Sequence, residues 1–191
     1  VDHDENGLAE LVRNLRSHES QWSLEDFRTL PLDYGSPVMQ RFLMESPSYD
    51  FVLNFAALKH VRSEKDVFSL LQLLDTNIVK TYRLLDWISH KNASTRYFCV
   101  STDKAANPIN FMGASKRAME RLIFSNRVFK SDKISASSAR FANVAFSKGS
   151  LLESFLVRIQ KQQPLAVPEN TRRFFFSLQE SGHICLLAAF L

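Results

Sequence analysis

The chain has 191 residues, enough for one domain with a real core or for most of a larger one. Its net charge of +4 is mild and its basic residues are spread out, which argues against nucleic acid as a partner. No apolar run approaches the roughly 18–20 residues of a membrane span, and the acidic, polar first residues do not read as a signal peptide. We therefore expect a soluble cytoplasmic chain.

Patterns of helix and strand alternate along the sequence, and the second helix has a clear start signal, with Ser36 as N-cap and Pro37 at the first helical position. In chain order, the patterns predict a helix over 5–18, a strand over 28–32, a helix over 37–45, a strand over 51–55, a helix over 67–89, a strand over 96–101, a helix over 113–129, a strand over 135–141, a helix over 151–162, a short strand over 165–167 and a helix over 179–191.

This alternation predicts an α/β fold, a Rossmann-type doubly wound parallel sheet with helices on both faces. The near-continuous apolar strands agree, because strands of such a sheet are buried on both sides. Ligands bind at the carboxyl ends of the strands in this architecture. Several polar or small residues follow predicted strands, namely Asp33, Ala56, Ala57, Thr102, Asp103, Lys104 and Asn143.

The two cysteines, Cys99 and Cys185, both lie in apolar runs. We expect them to be buried free thiols of a protein from a reducing compartment. The sequence has no CxxC pair and its five histidines are isolated, so we expect no metal site.

Asp103 and Lys104 are the most informative pair in the sequence. They end the run Ser101-Thr102-Asp103-Lys104, and the motif Met112-Gly113-Ala114-Ser115-Lys116 follows one loop later, where a helical pattern starts. An acid and an amine side by side at a strand end are what proton transfer on a small molecule requires. A solvated turn is the structural alternative for an Asp-Lys dipeptide.

These motifs resemble the active-site segment of the extended short-chain dehydrogenases/reductases, and within that group the UDP-N-acetylglucosamine 4,6-dehydratases of polysaccharide biosynthesis. The resemblance implies an NAD-dependent lyase in which carbon 4 of the hexose is oxidised, water leaves between carbons 5 and 6, and hydride returns to carbon 6. The product is a 4-keto-6-deoxy sugar nucleotide. Two alternatives stay open: a nucleotide-sugar epimerase or 4-dehydrogenase on the same scaffold, and a non-catalytic fragment or binding module.

The start of such a domain is expected to contain a strand, a G-x-G-x-x-G turn and a helix, but the five glycines do not form that motif. Val1-Asp2 reads as the end of a second strand, so we expect the first strand, the glycine-rich turn and the first helix to be absent from this sequence. Residues 1–145 are then a partial NAD-binding domain. Residues 146–191 are part of a substrate-binding region interleaved with the last Rossmann elements.

The resemblance assigns the catalytic roles. Lys104 is the base at carbon 5 and Asp103 is the acid at the leaving hydroxyl. In the family's Tyr-x-x-x-Lys motif, Met112 replaces the tyrosine and cannot accept the proton of the carbon-4 hydroxyl. We prefer Asp103 for that proton, supported by Thr102, while Thr102 itself or a water stays open. Lys116 binds the nicotinamide ribose.

Asp2 stands where a carboxylate binds the adenosine ribose in the family, which points to NAD over NADP because a carboxylate repels a 2′-phosphate. An acidic helix N-terminus is its structural alternative. Asp33 matches a position near the adenine, or equally a strand-end turn. Ala56 and Ala57 let the backbone approach the dinucleotide, and Asn77 supports the active-site strand from the next helix.

The resemblance also implies a set of side chains for the sugar nucleotide: Lys59, His60, Asn143, Lys148, Arg172 and Arg173. A helix N-terminus near Lys148 suits a diphosphate, and the two arginines are placed to clamp the diphosphate or the uracil edge. Surface helix capping for His60 and a solvated basic turn for the arginines are the structural alternatives. We expect a homo-oligomer formed through the two long helices, 67–89 and 113–129, as a four-helix interface.

Overall fold

The computed structural model describes residues 1–17, 26–59, 64–91, 93–125, 133–167, 169–170 and 172–191. Its helices are α1 (Glu5–Arg16), α2 (Pro37–Glu45), α3 (Val67–Leu74), α4 (Lys80–Ser89), α5 (Phe111–Ile123), α6 (Leu151–Gln160) and α7 (Leu178–Phe190). Its strands are β1 (Phe51–Asn54), β2 (Thr95–Thr102), β3 (Ile134–Phe141), β4 (Asn143–Val144) and β5 (Phe175–Phe176). A π-helical turn (Asp75–Val79) joins α3 to α4, and a 3₁₀ turn (Asp103–Ala105) follows β2.

The first three strands form a parallel sheet in the order β1-β2-β3, and β4 pairs with β5 in a small parallel sheet. Asn54 at the end of β1 pairs with Cys99, and Thr102 at the end of β2 pairs with Phe141. Because the strands are parallel, their carboxyl ends meet at one edge of the sheet. The predicted Rossmann-type parallel sheet is confirmed.

Side chains of β2 alternate between two cores. Tyr97 and Cys99 pack with α2, α4 and α5, whereas Phe98 packs with Phe141 and with Cys185 of α7 on the other face. Helices therefore cover both faces of the sheet, and burying one large apolar side chain in such a core contributes about 1.5–3 kcal/mol. Both cysteines are buried free thiols, as predicted.

Local capping explains where most helices begin. The Ser36 hydroxyl accepts the Met39 amide at the start of α2, and the Asn110 amide oxygen accepts the Gly113 amide at the start of α5. Ser177 and Glu180 form a reciprocal capping box on α7. None of the helices in the described ranges is both long enough and apolar enough to cross a membrane.

Two predicted strands are wrong. Residues 28–32 form no ladder: the Asp2 amide donates to the Leu30 carbonyl at 3.2 Å, and that carbonyl also accepts the Leu32 amide. Residues 165–167 are a loop in which Leu165 and Val167 are exposed. An apolar run signals burial, but a strand also needs a paired neighbour, which single-sequence patterns do not supply.

Several helix bounds differ from the prediction. The helix expected over 113–129 begins two residues earlier, because Asn110 caps it, and ends at Ile123. The helix expected over 151–162 ends at Gln160, and Gln162 adopts a positive φ of 52°. The long helix over 67–89 is confirmed, with the π-helical turn inside it. Residues 18 and 126–129 of the predicted helices lie outside the described residues.

Candidate functional site

The turn after β2 brings three predicted catalytic side chains together. Lys104 Nζ donates to Asp103 Oδ1 at 2.9 Å, and Thr102 Oγ1 donates to the same oxygen at 2.9 Å. Partial burial raises the pKa of Asp103, but the hydrogen bonds from Lys104 and Thr102 outweigh it and hold the pKa below its ordinary value of 3.8. The turn therefore presents an ionised carboxylate beside an amine at the end of the middle strand.

The first turn of α5 lies directly against Thr102, Asp103 and Lys104, which we call the catalytic turn after their predicted role. A Cβ added to Gly113 would stand 2.7 Å from the carbonyl oxygen of Lys104, so only glycine permits the approach. Asn110 caps the Gly113 amide, and the Glu64 carboxylate accepts the Met112 amide at 2.8 Å. These two caps fix the end of α5 that contacts the catalytic turn.

Met112 and Lys116 both point inward from α5, and each is 5% exposed. Lys116 Nζ donates to the Val100 carbonyl at 2.8 Å and lies 3.7 Å from Met119 Sδ. Burial lowers the pKa of Lys116. The last β1–β2 pair is Asn54 with Cys99, so Lys116 binds β2 at the first residue beyond that ladder.

Asn77 lies in the π-helical turn and is 1% exposed. Its side-chain oxygen accepts the Leu58 amide at 2.9 Å, and its side-chain nitrogen donates to the Leu58 carbonyl and to Ser115 Oγ, both at 3.0 Å. The prediction placed Asn77 beside the active-site strand, whereas the structure places it between the loop after β1 and α5. π-Helical turns often occur at functional sites, and this one aims an amide at the loop.

Asn54 secures the other end of the same loop, and sequence reasoning gave it no role. Its side-chain oxygen accepts the Ala56 amide at 3.0 Å, and its side-chain nitrogen donates to the Tyr97 hydroxyl at 3.0 Å. The loop with Ala56 and Ala57 is therefore fixed from both sides. An asparagine at the last position of an apolar run was the signal that could have identified this role.

A cleft of about 1170 Å³ lies between β1, α2, the loop after β1 and residues 26–34. It is lined by four of the predicted cofactor-binding residues, Asp2, Asp33, Ala56 and Ala57. Its lining does not include Thr102, Asp103 or Lys104, which lie at the end of the neighbouring strand β2 and in the turn after it.

Two of the carboxylates that line the cleft, those of Asp2 and Asp33, already accept hydrogen bonds from the protein. Asp33 accepts Lys80 Nζ at 2.5 Å and the Gly35 amide at 2.9 Å, and these bonds lower the pKa of Asp33 although burial alone would raise it. Asp2 accepts the Asp4 amide at 3.0 Å. Both carboxylates remain about half exposed, which leaves oxygen atoms available to a ligand.

Among the described residues, Lys59, Lys148 and Asn143 of the predicted substrate-binding set each have a polar partner in the protein. Lys59 Nζ donates to the Lys148 carbonyl at 2.9 Å, so these two residues are joined. Lys148 Nζ lies 3.3 Å from Asp4 Oδ2. The side-chain nitrogen of Asn143 donates to the Phe174 carbonyl at 3.1 Å. Arg172 and Arg173 are exposed, and His60 lies outside the described residues.

A parallel sheet covered by helices on both faces, with Asp103 and Lys104 in a turn at the end of its middle strand, defines a Rossmann-type α/β protein. The chain belongs to the polysaccharide biosynthesis protein family, which matches residues 1–190.

Two curated relatives that match the chain are longer than it is. An uncharacterized membrane protein of Methanocaldococcus jannaschii is 32% identical over all of this chain and 54% of its own length. The UDP-glucose 4-epimerase of Rickettsia rickettsii is 33% identical over 73% of this chain and 40% of its own length. The chain thus spans about half the length of these relatives.

Solved structures agree on the fold. Pen from Bacillus thuringiensis is similar over 100% of this chain and 56% of its own, with a TM-score of 0.82 and 24% identity. DesIV, a dTDP-glucose 4,6-dehydratase of Streptomyces venezuelae solved with NAD and TYD bound, is similar over 85% of this chain and 54% of its own, with a TM-score of 0.69 and 19% identity.

Proposed function

We propose that the chain is the catalytic part of an NAD-dependent nucleotide-sugar 4,6-dehydratase that acts on UDP-N-acetylglucosamine. The observation that carries this proposal is the contact of 2.9 Å between the Asp103 carboxylate and the Lys104 amine at the end of β2. Elimination of water from a hexose needs a base and an acid at neighbouring carbons. Membership of a polysaccharide biosynthesis family and the likeness to a sugar-nucleotide dehydratase support the same class of reaction.

The cleft residues fit the adenosine half of a nicotinamide dinucleotide. Asp2 and Asp33 offer carboxylate oxygens for hydroxyl or amino groups, and Ala56 and Ala57 present small side chains beside them. The carboxylate of Asp2 would repel a 2′-phosphate, so we propose NAD rather than NADP. Lys116 would hold the nicotinamide ribose. Bound NAD would supply the acceptor and donor of a hydride.

The chain's own groups account for the proton transfers. Asp103 is ionised and accepts the proton of the carbon-4 hydroxyl, while Thr102 Oγ1 holds the carboxylate in place. Protonated Asp103 then gives this proton to the hydroxyl that leaves carbon 6 as water. Lys104 first releases one ammonium proton to solvent, and its neutral amine then removes the proton at carbon 5. Met112 takes no part in this route, which explains how a thioether can stand at its position.

A nucleotide-sugar 4-epimerase is the second candidate, favoured by the named Rickettsia relative. Such a reaction exchanges a proton at the carbon-4 hydroxyl and needs no base at carbon 5. Asp103 serves both reactions, whereas Lys104 serves as the carbon-5 base only in the dehydratase.

The deciding experiment incubates the intact protein with NAD and UDP-N-acetylglucosamine in deuterated water and examines the sugar by NMR and mass spectrometry. We expect a 4-keto-6-deoxy product with deuterium at carbon 5. Lys104→Ala should abolish it, whereas Lys161→Ala, which removes an exposed lysine at the end of α6, should not. A carbon-4 epimer without a keto product would favour the epimerase. Absence of both products and of NAD binding would leave a non-catalytic module.

We further propose that residues 1–145 are a partial dinucleotide-binding domain and that residues 146–191 are part of a substrate-binding region. The position of α7 supports interleaving of the two, because Cys185 and Ala189 pack against Phe98 of the main sheet. A homo-oligomer through the long helices is also proposed. Its support is a row of exposed apolar side chains, Phe68, Leu71, Val79 and Tyr82.

A further inference from the structure

A second buried charge lies one helical turn beyond Lys116. Glu120 on α5 is 7% exposed, and Arg140 on β3 donates to both of its carboxylate oxygens, from Nε at 2.8 Å and from Nη2 at 2.6 Å. Residues four apart share one side of a helix. The Glu120 carboxylate and the Lys116 ammonium, two opposite charges, are therefore buried on the same side of α5 against the sheet.

Among the described residues, the titratable groups that act directly on Lys116 are Cys99 of β2 and Glu120 of α5. From β2, Cys99 approaches it, but burial raises the pKa of this thiol to about 11, so it carries no charge near neutral pH. From α5, Glu120 approaches it, with Arg140 of β3 behind the carboxylate. Ser101 of β2 is 3% exposed, and its hydroxyl lies near Glu120 without reaching hydrogen-bond geometry with any residue that the structure describes.

Two opposing effects act on the ammonium. Burial disfavours its charged form, whereas a neighbouring anion favours it. Arg140 keeps that anion available: burial raises the pKa of Glu120, but the hydrogen bonds from Arg140 outweigh it, so the pKa is lowered. A bidentate arginine also fixes the direction of the carboxylate.

We propose that Glu120, held by Arg140, is a positioning residue that keeps Lys116 charged and seated at the end of β2. The inference rests on the proposed function, in which the charge of Lys116 binds the nicotinamide ribose. Glu120 itself touches neither cofactor nor substrate; it acts through the lysine.

The test follows the Lys116 side chain directly, by NMR titration of its Cε and Nζ in the intact protein. Glu120→Gln keeps the shape of the side chain and one acceptor for Arg140 but removes the charge. We expect the pKa of Lys116 to fall by about 1 or more in this variant and to recover in Glu120→Asp. Glu45→Gln is the matched control, because Arg41 holds Glu45 at 2.8 Å on the surface of α2. An unchanged pKa in Glu120→Gln would overturn the proposal.

If Glu120→Gln does not fold, the double variant Glu120→Met with Arg140→Met removes both charges together, so that neither partner is left unpaired; the Arg140 side chain is itself 48% exposed. The pKa of Lys116 should fall in it as well, and an unchanged value again overturns the proposal. NAD binding against pH is the second readout: its upper midpoint should move with the lysine pKa. A wild type that binds no NAD would refute the proposed function, while the lysine titration would still decide the role of Glu120.

Discussion

The side-chain oxygen of Asn77 accepts the Leu58 amide, and its side-chain nitrogen donates to the Leu58 carbonyl. Replacing Asn77 therefore removes one hydrogen-bond partner from each of these two backbone groups. Asn77→Leu fills a similar volume but leaves the part-buried amide and carbonyl of Leu58 without the Asn77 partner, at a cost of about 1–2 kcal/mol each, the lower part of the range for unpaired polar groups. We expect the free energy of unfolding, measured in urea, to drop by about 2–4 kcal/mol.

The matched control is Asn14→Leu, which changes the same residue type at an exposed position of α1. Surface changes of this kind usually stay within about 0.5 kcal/mol. If both variants lost the same small amount, the Asn77 amide would not be what fixes the loop after β1.

Lys116 gives stability a pH dependence of defined sign. Its folded pKa lies below the ordinary 10.5, because burial disfavours the ammonium, so the unfolded chain binds more protons between the two values. Stability therefore rises with pH in that window. We expect the free energy of unfolding of the wild type to increase relative to that of Lys116→Met as pH rises from 7 toward 9.

The stability measurements should end at about pH 9, the ordinary pKa of a thiol. Above that pH the raised pKa of Cys99 lowers the free energy of unfolding as pH rises, which would add a second trend. Lys161→Met, which changes an exposed lysine, should show no such trend against the wild type. A difference between wild type and Lys116→Met that is flat or falls with pH would contradict the burial argument.

At this scale, sequence reasoning found the groups that are neighbours in the chain. Thr102, Asp103 and Lys104 could be predicted as a unit because three consecutive residues after a strand must share its end. The bond between Glu64 and Met112 and the bond between Asn54 and Tyr97 could not be predicted, because they join residues 48 and 43 positions apart. No local pattern encodes such distances.

Among the elements, the contact between α5 and the catalytic turn depends on Gly113. In Gly113→Ala the new Cβ would meet the Lys104 carbonyl at 2.7 Å, and backbone atoms must shift to admit it. We expect a stability loss of about 1–3 kcal/mol, the range of overpacked cores, and a loss of turnover larger than the fraction unfolded explains. Calorimetry measures the loss of stability, and the assay with UDP-N-acetylglucosamine in deuterated water measures the loss of turnover on the same sample.

Gly182→Ala is the control for helix propensity. Gly182 lies inside α7, and a Cβ there meets nothing within 4 Å. Alanine should therefore stabilise the protein by roughly 0.5–1 kcal/mol. If Gly113→Ala behaved like Gly182→Ala, α5 would not be pressed against the catalytic turn.

Element prediction succeeded where the signal was local. The start of α2 was correctly predicted from Ser36 and Pro37, because a cap and a proline act within one turn. The predictions of strands at 28–32 and 165–167 were wrong because strand pairing depends on residues far away in the sequence. The π-helical turn also escaped prediction, since its five residues fit an ordinary helical pattern.

At the scale of the whole molecule, the parallel pairing of β1, β2 and β3 follows from the alternating pattern of strands and helices, whereas the separation of the predicted cofactor-binding residues from the predicted catalytic residues does not. The cleft that holds Asp2 and Asp33 is separate from the turn that holds Asp103. The loop after β1 connects the two regions, because Asn77 joins Leu58 of that loop to Ser115 of α5. A ligand in the cleft that displaced the loop would therefore also act on the position of α5 through Asn77.

The last prediction concerns association of whole molecules. Phe68 is 76% exposed and begins the row of exposed apolar side chains that runs along α3 and α4 to Tyr82. Exposed apolar side chains grouped on one surface often mark an interaction site. Phe68→Glu places a charge in that row, where desolvation opposes association, without disturbing the core. We expect the wild type to sediment as a dimer and Phe68→Glu as a monomer with an unchanged melting temperature. Val38→Glu, on α2 and 60% exposed, should leave the dimer intact. A monomeric wild type, or equal dimers in all three proteins, would rule out this face as the interface.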